Sequence, residues 1–148
     1  YLMVLQPTSL LRTTEDIDGA IRVAHEKQDD GVVSVCETHH HPYLTKRIAG
    51  DGTLEDFVSD GPKQGSSSIR RQVLPAAYFV NGAIFLNRCE VLRSTLNFVP
   101  PSTVPYIMPA ERSLQIDGPW DLHIARLVLE RRLVDAVGTI PLGPGKQK

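Results

Sequence analysis

The chain has 148 residues, of which 41% are hydrophobic and 22% are charged, a balance typical of one globular domain. Its formal net charge of −1 argues against a generally basic nucleic-acid-binding protein. The sequence shows no apolar run of the roughly 18–20 residues that span a membrane, and no recognisable secretory signal. Its two cysteines, Cys36 and Cys89, are too few for a disulfide scaffold. We therefore expect a cytoplasmic protein that binds neither nucleic acid nor membrane.

The two ends of the chain differ in character. The chain begins with Tyr1 rather than Met, and the apolar run 2–5 is typical of a buried strand in a parallel sheet. A central strand so near the first residue suggests a fragment of a longer protein, with an edge strand at a processed terminus as the alternative. Residues 1–137 are expected to form one domain portion, and the glycine- and proline-containing residues 138–148 a flexible tail.

The first helix is predicted from Thr13 to about Gln28. Thr13 and Asp16 fit a capping box, and apolar residues recur at helical spacing on the face expected to contact the sheet. These residues are Ile17, Ala20, Ile21 and Ala24. Gly19 lies inside this helix, where glycine costs about 1 kcal/mol relative to alanine.

Residues 32–36 are predicted to form the next strand, which completes a βαβ unit with the first strand and the helix. Residues 38–76 are polar and interrupted, and glycines at 50 and 52 are typical of a hairpin turn. We therefore expect residues 38–76 to extend from the sheet as a hairpin arm. A third strand is predicted over 82–86, followed by a short helical turn at 90–94.

The last part of the chain is predicted to contain a short extended piece at 115–117 and a final helix. Pro119 fits the first position of that helix, where its missing N–H costs nothing. The buried stripe of the helix is predicted to contain Leu122, Ala125, Val128, Leu129 and Leu133.

Polar residues follow the first strand, and they are Gln6, Thr8, Ser9 and Arg12. In open α/β sheets, ligands bind at the carboxyl ends of the strands. Amides and hydroxyls hydrogen-bond sugar hydroxyls, and a guanidinium suits a phosphate or a carboxylate. The structural alternative is a polar turn that caps the following helix.

Two further groups could hold a metal. The adjacent histidines at 39–41 point in different directions on an extended chain, which disfavours a zinc site and favours a surface or ligand-facing loop. Asp117 precedes the last helix, so it suits either helix capping or ligation of Mg²⁺ beside a phosphate. The pair Arg70 and Arg71 is, by pattern alone, typical of a solvated face.

Taken together, ordered segments of the chain resemble the CMP-sialic acid synthetases, the cytidylyltransferases that activate nine-carbon keto-sugar acids. The matching segments are 5–12 (LQPTSLLR), 32–35 (VVSV), 40–42 (HHP), 71–75 (RQVLP), 81–85 (NGAIF), 106–108 (YIM) and 113–122 (SLQIDGPWDL). The resemblance implies an α/β, Rossmann-like nucleotide-diphospho-sugar transferase fold, truncated at the N-terminus. It also implies a Mg²⁺-dependent reaction of CTP with a nonulosonic acid that gives a CMP-sugar and pyrophosphate.

The resemblance assigns roles to individual residues. Gln6, Thr8 and Ser9 would line the sugar pocket. Arg71 would contact the anionic substrate, with Asn81 beside it. Asp117 matches a magnesium aspartate and is the candidate catalytic residue. Phe98 falls where an aromatic residue of the partner subunit reaches the sugar, and the family dimerises through an extension like residues 38–76, so a homodimer is expected.

The chain also departs from the family. The family has Pro, Lys, Arg, Tyr and Asp at the positions of Leu10, Leu44, Phe79, Phe85 and Gln115. The last change weakens the two-aspartate metal site, and changes on the sugar side make legionaminate or pseudaminate as suitable as N-acetylneuraminate. The family's glycine-rich basic loop, which binds the CTP phosphates, has no match here. We therefore expect this chain to be inactive alone, and the alternative is a non-catalytic sugar-binding or dimerisation module.

Overall fold

The computed structural model describes the backbone of residues 1–58 and 74–137, and the side chains of residues 1–58 and 74–131. The elements in these ranges are β1 (Leu2–Val4), α1 (Thr14–Lys27), β2 (Gly31–Glu37), β3 (Lys46–Ile48), β4 (Leu54–Asp56), β5 (Tyr78–Asn87), α2 (Cys89–Thr95), β6 (Thr103–Ile107) and α3 (Pro119–Val137). Short 3₁₀ turns lie at Pro42–Leu44 and Ala110–Arg112. The predictions for Arg71 and for the tail 138–148 lie outside the described residues.

The main sheet has four described strands in the order β1-β5-β2-β6. β5 runs antiparallel to both of its neighbours, whereas β2 and β6 are parallel. β1 and β2 therefore run in the same direction, as the predicted βαβ unit requires, but β5 lies between them. This mixed α/β architecture is consistent with the expected Rossmann-like fold.

The first strand differs from the prediction of a buried strand in a parallel sheet. β1 lies at one end of the strand order and pairs with β5 in antiparallel orientation. Leu2 is 41% exposed, and Leu5, just beyond the strand, is 38% exposed. An apolar run does not specify its partners, and the central position belongs to β5, whose Ala83 and Ile84 are fully buried.

The core lies between α1 and the sheet. Its buried members are Ala20, Ala24, Val32, Ala83, Ile84, Leu86 and Met108. The bounds of α1 agree with the prediction, with Thr13 as N-cap and Gln28 as C-cap. Ile21, however, is exposed, because successive residues are turned by about 100° around a helix and the buried stripe is centred on Ala20.

The predicted hairpin at the start of residues 38–76 is confirmed by β3 and β4. They pair in antiparallel register, with Ile48 opposite Leu54 and Arg47 opposite Glu55. Ile48 is 76% exposed and Leu54 is 70% exposed, so the hairpin buries neither side chain against the main sheet. Residues 59–73 of the expected arm lie outside the described part of the chain.

His41 anchors the base of this hairpin. Its Nδ1 accepts a hydrogen bond from the backbone N–H of Tyr43 at 3.2 Å. Its Nε2 lies 3.0 Å from the carbonyl oxygen of Pro75, where the protonated nitrogen donates. Both ring nitrogens of the buried His41 therefore have structural partners, and the described residues contain no cluster of three metal-ligating side chains.

The last helix begins at Pro119, as predicted. Ala125 is 1% exposed, as expected for its stripe, but Leu122 is 51% exposed and the prediction for that residue is wrong. Leu122 lies in the first turn of α3, where its side chain remains exposed to solvent. The side chain of Leu133 is not among those described. None of the helices in the described parts of the chain is long and apolar enough to cross a membrane.

Gly19 is explained by the ring of Tyr106, which crosses α1 at this position. A Cβ at residue 19 would lie 2.6 Å from the Tyr106 hydroxyl oxygen and 2.6 Å from Cε2. Real Cβ atoms do not approach ring atoms so closely, so the absence of a side chain permits the contact between α1 and β6.

We predict that Gly19→Ala destabilises the protein by about 1–3 kcal/mol, the usual cost of overpacking, although alanine favours a helix by about 1 kcal/mol. Urea unfolding measures the change in the free energy of unfolding. The double variant Gly19→Ala with Tyr106→Leu should recover part of the loss because the shorter side chain makes room. A single variant as stable as the wild type would contradict the prediction.

Candidate functional site

Three irregular segments meet at the carboxyl ends of the parallel strands. They are the turn 6–9 after β1, residues 81–83 within β5, and the segment 113–117 between β6 and α3. The backbone N–H of Ile116 donates to the carbonyl oxygen of Thr8 at 3.1 Å, which joins the turn to the last segment. The predicted extended piece at 115–117 is therefore a loop held by this hydrogen bond, and it is not a strand.

Arg12 joins the turn to the second segment. Its Nη1 donates to the carbonyl oxygen of Ala83 at 2.7 Å and to that of Gln6 at 3.3 Å. The predicted role of Arg12 in binding an anion stays a prediction, and its described contacts hold backbone.

Gly82 makes the floor of the site. Its φ is +71°, and the register between β2 and β5 shifts at this point. A Cβ at residue 82 would lie 2.3 Å from Oε1 of Gln6 and 3.3 Å from Oε1 of Gln115. The glycine therefore permits both the backbone conformation and the approach of two side-chain amides from different segments.

Two buried polar atoms at this site have no hydrogen-bond partner. They are Oε1 of Gln6 and Oγ of Ser9, and the Ser9 residue is 2% exposed. A buried acceptor without a partner costs about 1–3 kcal/mol, so such atoms indicate a place for a ligand or an ordered water. Both atoms belong to residues predicted to bind the sugar, and neither has a hydrogen-bond partner among the described residues.

Asn81 lies beneath this site and is 1% exposed. Its Nδ2 donates to Oγ of Ser113 at 2.9 Å and to Sδ of Met108 at 3.4 Å. Its Oδ1 accepts from Oγ of Ser34 at 2.6 Å and from the backbone N–H of Ala83 at 3.2 Å. All the hydrogen-bonding capacity of the Asn81 amide is therefore used inside the fold, where it supports the irregular part of β5.

Asp117 and Asp121 have different roles at the start of α3. Oδ2 of Asp121 accepts from the backbone N–H groups of Asp117 at 3.0 Å and Gly118 at 2.9 Å. The helix terminus is thereby satisfied by Asp121, and the exposed Asp117 carboxylate is not the cap. Oδ1 of Asp117 accepts instead from Nε2 of Gln115 at 3.3 Å.

The remaining predicted site residues are not all brought together. Thr8 is half-buried in the turn, next to Ser9. Phe98 is 44% exposed and lies near the other end of β5, where its ring centroid is 5.9 Å from that of Phe85. Arg71 lies outside the described residues, so its predicted contact with the substrate stays a prediction.

An ion pair between a buried carboxylate and a half-buried arginine beside the site was not predicted. Asp16 is fully buried, and its carboxylate accepts two hydrogen bonds from Arg112, from Nε and from Nη2, both at 2.8 Å. The sequence marked Asp16 as part of a capping box, and its Oδ2 does accept from the backbone N–H of Thr13 at 3.0 Å. No local signal marked Arg112, which follows Asp16 by 96 residues.

Opposing effects act on the pKa of Asp16. Burial raises the pKa, but the hydrogen bonds from Arg112 and Thr13 outweigh burial and hold the pKa below its usual value. The same ion pair raises the pKa of the Arg112 guanidinium. Burial and the nearby Asp16 carboxylate raise the pKa of Tyr106, whose hydroxyl lies 3.4 Å from Oδ1 of Asp16.

Comparison with known proteins gives several relatives that match most of the chain. An N-acylneuraminate cytidylyltransferase of Streptococcus agalactiae serotype V is 35% identical over 123 residues, which are 82% of this chain and 29% of that protein. The N-acylneuraminate cytidylyltransferase of Escherichia coli O18:K1:H7 is 28% identical over 130 residues, or 87% of this chain and 30% of that protein. The post-translational flagellin modification protein B of Campylobacter coli is 22% identical over 135 residues, or 91% of this chain and 55% of that protein. No family model matches the chain.

The fold and the polar site define an α/β protein that presents amide, hydroxyl and carboxylate groups at the carboxyl ends of its strands. The matches to N-acylneuraminate cytidylyltransferases confirm the resemblance to the CMP-sialic acid synthetase family that the motifs predicted. The chain spans about 29% of the length of the Streptococcus agalactiae relatives.

The depressed pKa of Asp16 predicts how stability depends on pH. A carboxylate with a lowered pKa in the folded state contributes stability above its unfolded pKa, about 3.9, and loses it as the pH falls through the lower folded value. The stability difference between wild type and Asp16→Asn should therefore be largest near neutral pH and shrink below about pH 4. Urea unfolding between pH 7 and pH 3 measures it, with Asp18→Asn, exposed on the same helix, as the control. A difference that is independent of pH would contradict this prediction.

Proposed function

We propose that this protein takes part in the transfer of CMP from CTP to a nonulosonic acid. In this reaction the anomeric hydroxyl of the sugar attacks the α-phosphorus of CTP, the bond to the β-phosphate oxygen breaks, and pyrophosphate leaves. The observation that carries the proposal is the pair of buried, unpartnered acceptors on Gln6 and Ser9. They lie in a chain that is 35% identical to a named N-acylneuraminate cytidylyltransferase.

The described residues form the sugar-acid side of this site in our proposal. A nonulosonic acid carries several hydroxyl groups, and each can donate to an acceptor that lacks a partner. Gln6 and Ser9 would accept from such hydroxyls, with Thr8 at the edge of the pocket. Arg12 and Arg71 would supply positive charge towards the carboxylate of the acid or towards a phosphate.

The residues at the start of α3 suit a magnesium ion. Mg²⁺ takes hard oxygen ligands, and it is usually held by one or two carboxylates together with substrate phosphates and water. Asp117 offers an exposed carboxylate, whereas Gln115 turns its amide nitrogen towards Asp117 and its amide oxygen towards Gly82. When bound, the ion would neutralise charge on the phosphates. Asp121 accepts the hydrogen bonds from the backbone N–H groups at the start of α3. The Asp117 carboxylate is therefore not needed as the helix cap and would be available to bind the ion.

The candidate acid substrates are N-acetylneuraminate, legionaminate, pseudaminate and their relatives. The sialate enzymes have Arg and Tyr at positions where this chain has Phe79 and Phe85, so fewer polar contacts are available here. One relative is named for modification of flagellin, which is a reason to include acids other than N-acetylneuraminate among the candidates. CTP is required, so we propose a cytoplasmic reaction.

Binding of the acid is the direct test of the sugar side. We expect one nonulosonic acid of a panel to bind the 148-residue chain in isothermal titration calorimetry, and we expect Gln6→Ala to weaken this binding by roughly tenfold or more. Glu26→Ala, which is exposed on the outer face of α1, should bind like the wild type. Absence of binding by every acid would overturn the proposed site.

The transfer reaction is tested by pyrophosphate release from CTP and the preferred acid in the presence of Mg²⁺. For the full-length protein we expect release that depends on Mg²⁺ and that falls in Asp117→Asn but not in the matched variant Asp18→Asn. Acid binding without pyrophosphate release would favour the alternative, a non-catalytic sugar-binding module of the same ancestry.

We also propose that the protein forms a homodimer through residues 38–76. Ile48 and Leu54 are opposite each other on one face of the β3–β4 hairpin, and they are 76% and 70% exposed. A pair of exposed apolar side chains of this kind is typical of a surface that another chain covers. Phe98 would then be available to a sugar pocket of the partner subunit.

Sedimentation of the wild type should show a dimer. The double variant Ile48→Asp with Leu54→Asp should be monomeric because it puts two charges into the proposed interface. Arg47→Ala with Glu55→Ala is the matched control, since side chains of a strand alternate between its two faces. A monomeric wild type would contradict the proposed dimer.

A further inference from the structure

We propose that Arg112 is a positioning residue, which docks the segment 113–117 against the turn 6–9 through its ion pair with the buried Asp16. The proposal rests on the proposed function in one respect, namely that the segment 113–117 lines the sugar-acid site. Arg112 itself does not touch the substrate, and it acts through the residues that follow it.

The anchor of this ion pair belongs to α1. Asp16 is in the first turn of the helix, and its carboxylate accepts from the backbone N–H of Thr13 at 3.0 Å and from the Thr13 hydroxyl at 3.1 Å. The Tyr106 hydroxyl lies 3.4 Å from Oδ1. Asp16 is thus held by three hydrogen bonds from two residues, Thr13 and Tyr106, before Arg112 is counted.

The segment 113–117 has no helix or strand of its own, so side-chain contacts determine its path. Arg112 attaches its first end to α1, and the next residue, Ser113, accepts from Nδ2 of Asn81 at 2.9 Å. The third attachment is the hydrogen bond from Ile116 to Thr8. These attachments join the segment to α1, to β5 and to the turn after β1. The segment therefore lies across the site that these three elements surround.

The geometry of the Asp16–Arg112 pair indicates that the pair fixes the orientation of the Arg112 side chain and does more than balance the charge of Asp16. Nε and Nη2 each donate to a different carboxylate oxygen at 2.8 Å, which is the bidentate arrangement available to arginine and not to lysine. Arg112→Lys therefore keeps the charge and removes the fixed orientation. Arg112→Ala would leave a buried, unpaired carboxylate, so loss of the whole fold could hide the local effect.

The experiment measures hydrogen exchange of individual backbone amides by NMR in the full chain without ligand. In Arg112→Lys we expect the exchange rate of the Ile116 amide to rise roughly tenfold, which corresponds to loss of one charge-assisted hydrogen bond. The amides of the buried strand β2 should keep their wild-type rates. Arg47→Lys, which alters the exposed ion pair with Glu55, is the matched control and should leave Ile116 unchanged.

Two results would overturn the proposal. Unchanged exchange at Ile116 in Arg112→Lys would mean that the ion pair does not hold the segment. An equal rise at Ile116 and in β2 would mean that Arg112 supports global stability alone. A second variant, Asp16→Asn with Arg112→Met, removes both charges together and should also raise exchange at Ile116 while the fold is retained.

Acid binding then separates this proposal from the proposed function. If the wild type binds a nonulosonic acid, Arg112→Lys should weaken that binding roughly fivefold or more with little change in unfolding temperature, whereas a purely structural role would leave the affinity unchanged. If the wild type binds no acid, the proposed function fails, and the exchange rate at Ile116 still decides whether Arg112 positions the segment.

Discussion

A fully buried carboxylate connects the helix after the first strand to the loop after the last strand. Removing a charge from water costs several kcal/mol unless protein groups replace the solvent. Asp16 is satisfied only when α1, Tyr106 and Arg112 are all in place. The cost of leaving it unpaired therefore couples the packing of the core to the placement of the polar loop, although these parts of the chain are far apart in sequence.

The site itself depends on an irregularity within the central strand. At Gly82 the ladder between β2 and β5 loses its register, and the amide oxygen of Asn81 accepts from the backbone N–H of Ala83 and from the Ser34 hydroxyl. The positive φ and the missing side chain of Gly82 let Gln6 and Gln115 approach the backbone at this point. The polar floor of the site thus comes from the sheet, and the loops add residues to it.

Local features of the structure were predictable because local signals determine them. Capping residues and helical periodicity predicted α1, glycines predicted the β3–β4 hairpin, and Pro119 predicted the start of α3. Partner choice was not predictable, since an apolar run such as 2–5 is compatible with a central or an edge strand. Asp117 and Gln6 could be selected as candidates because their positions after strands are a local signal. The pairing of Asp16 with Arg112 could not be predicted, because it depends on a contact between residues 96 positions apart.

The insertion of β5 between β1 and β2 determines the order in which the chain can fold. β1 and β2 have no hydrogen bonds to each other, and both pair with a strand that follows the whole hairpin arm in sequence. During synthesis the apolar residues of the first two strands therefore remain without their common neighbour until Tyr78–Asn87 has left the ribosome. Closing so long a loop is entropically costly and slows folding. The helix α1 can form early from its own sequence, but the sheet can assemble only after the arm has been made. Over that interval the unpaired edges of the first two strands are exposed to association with other chains.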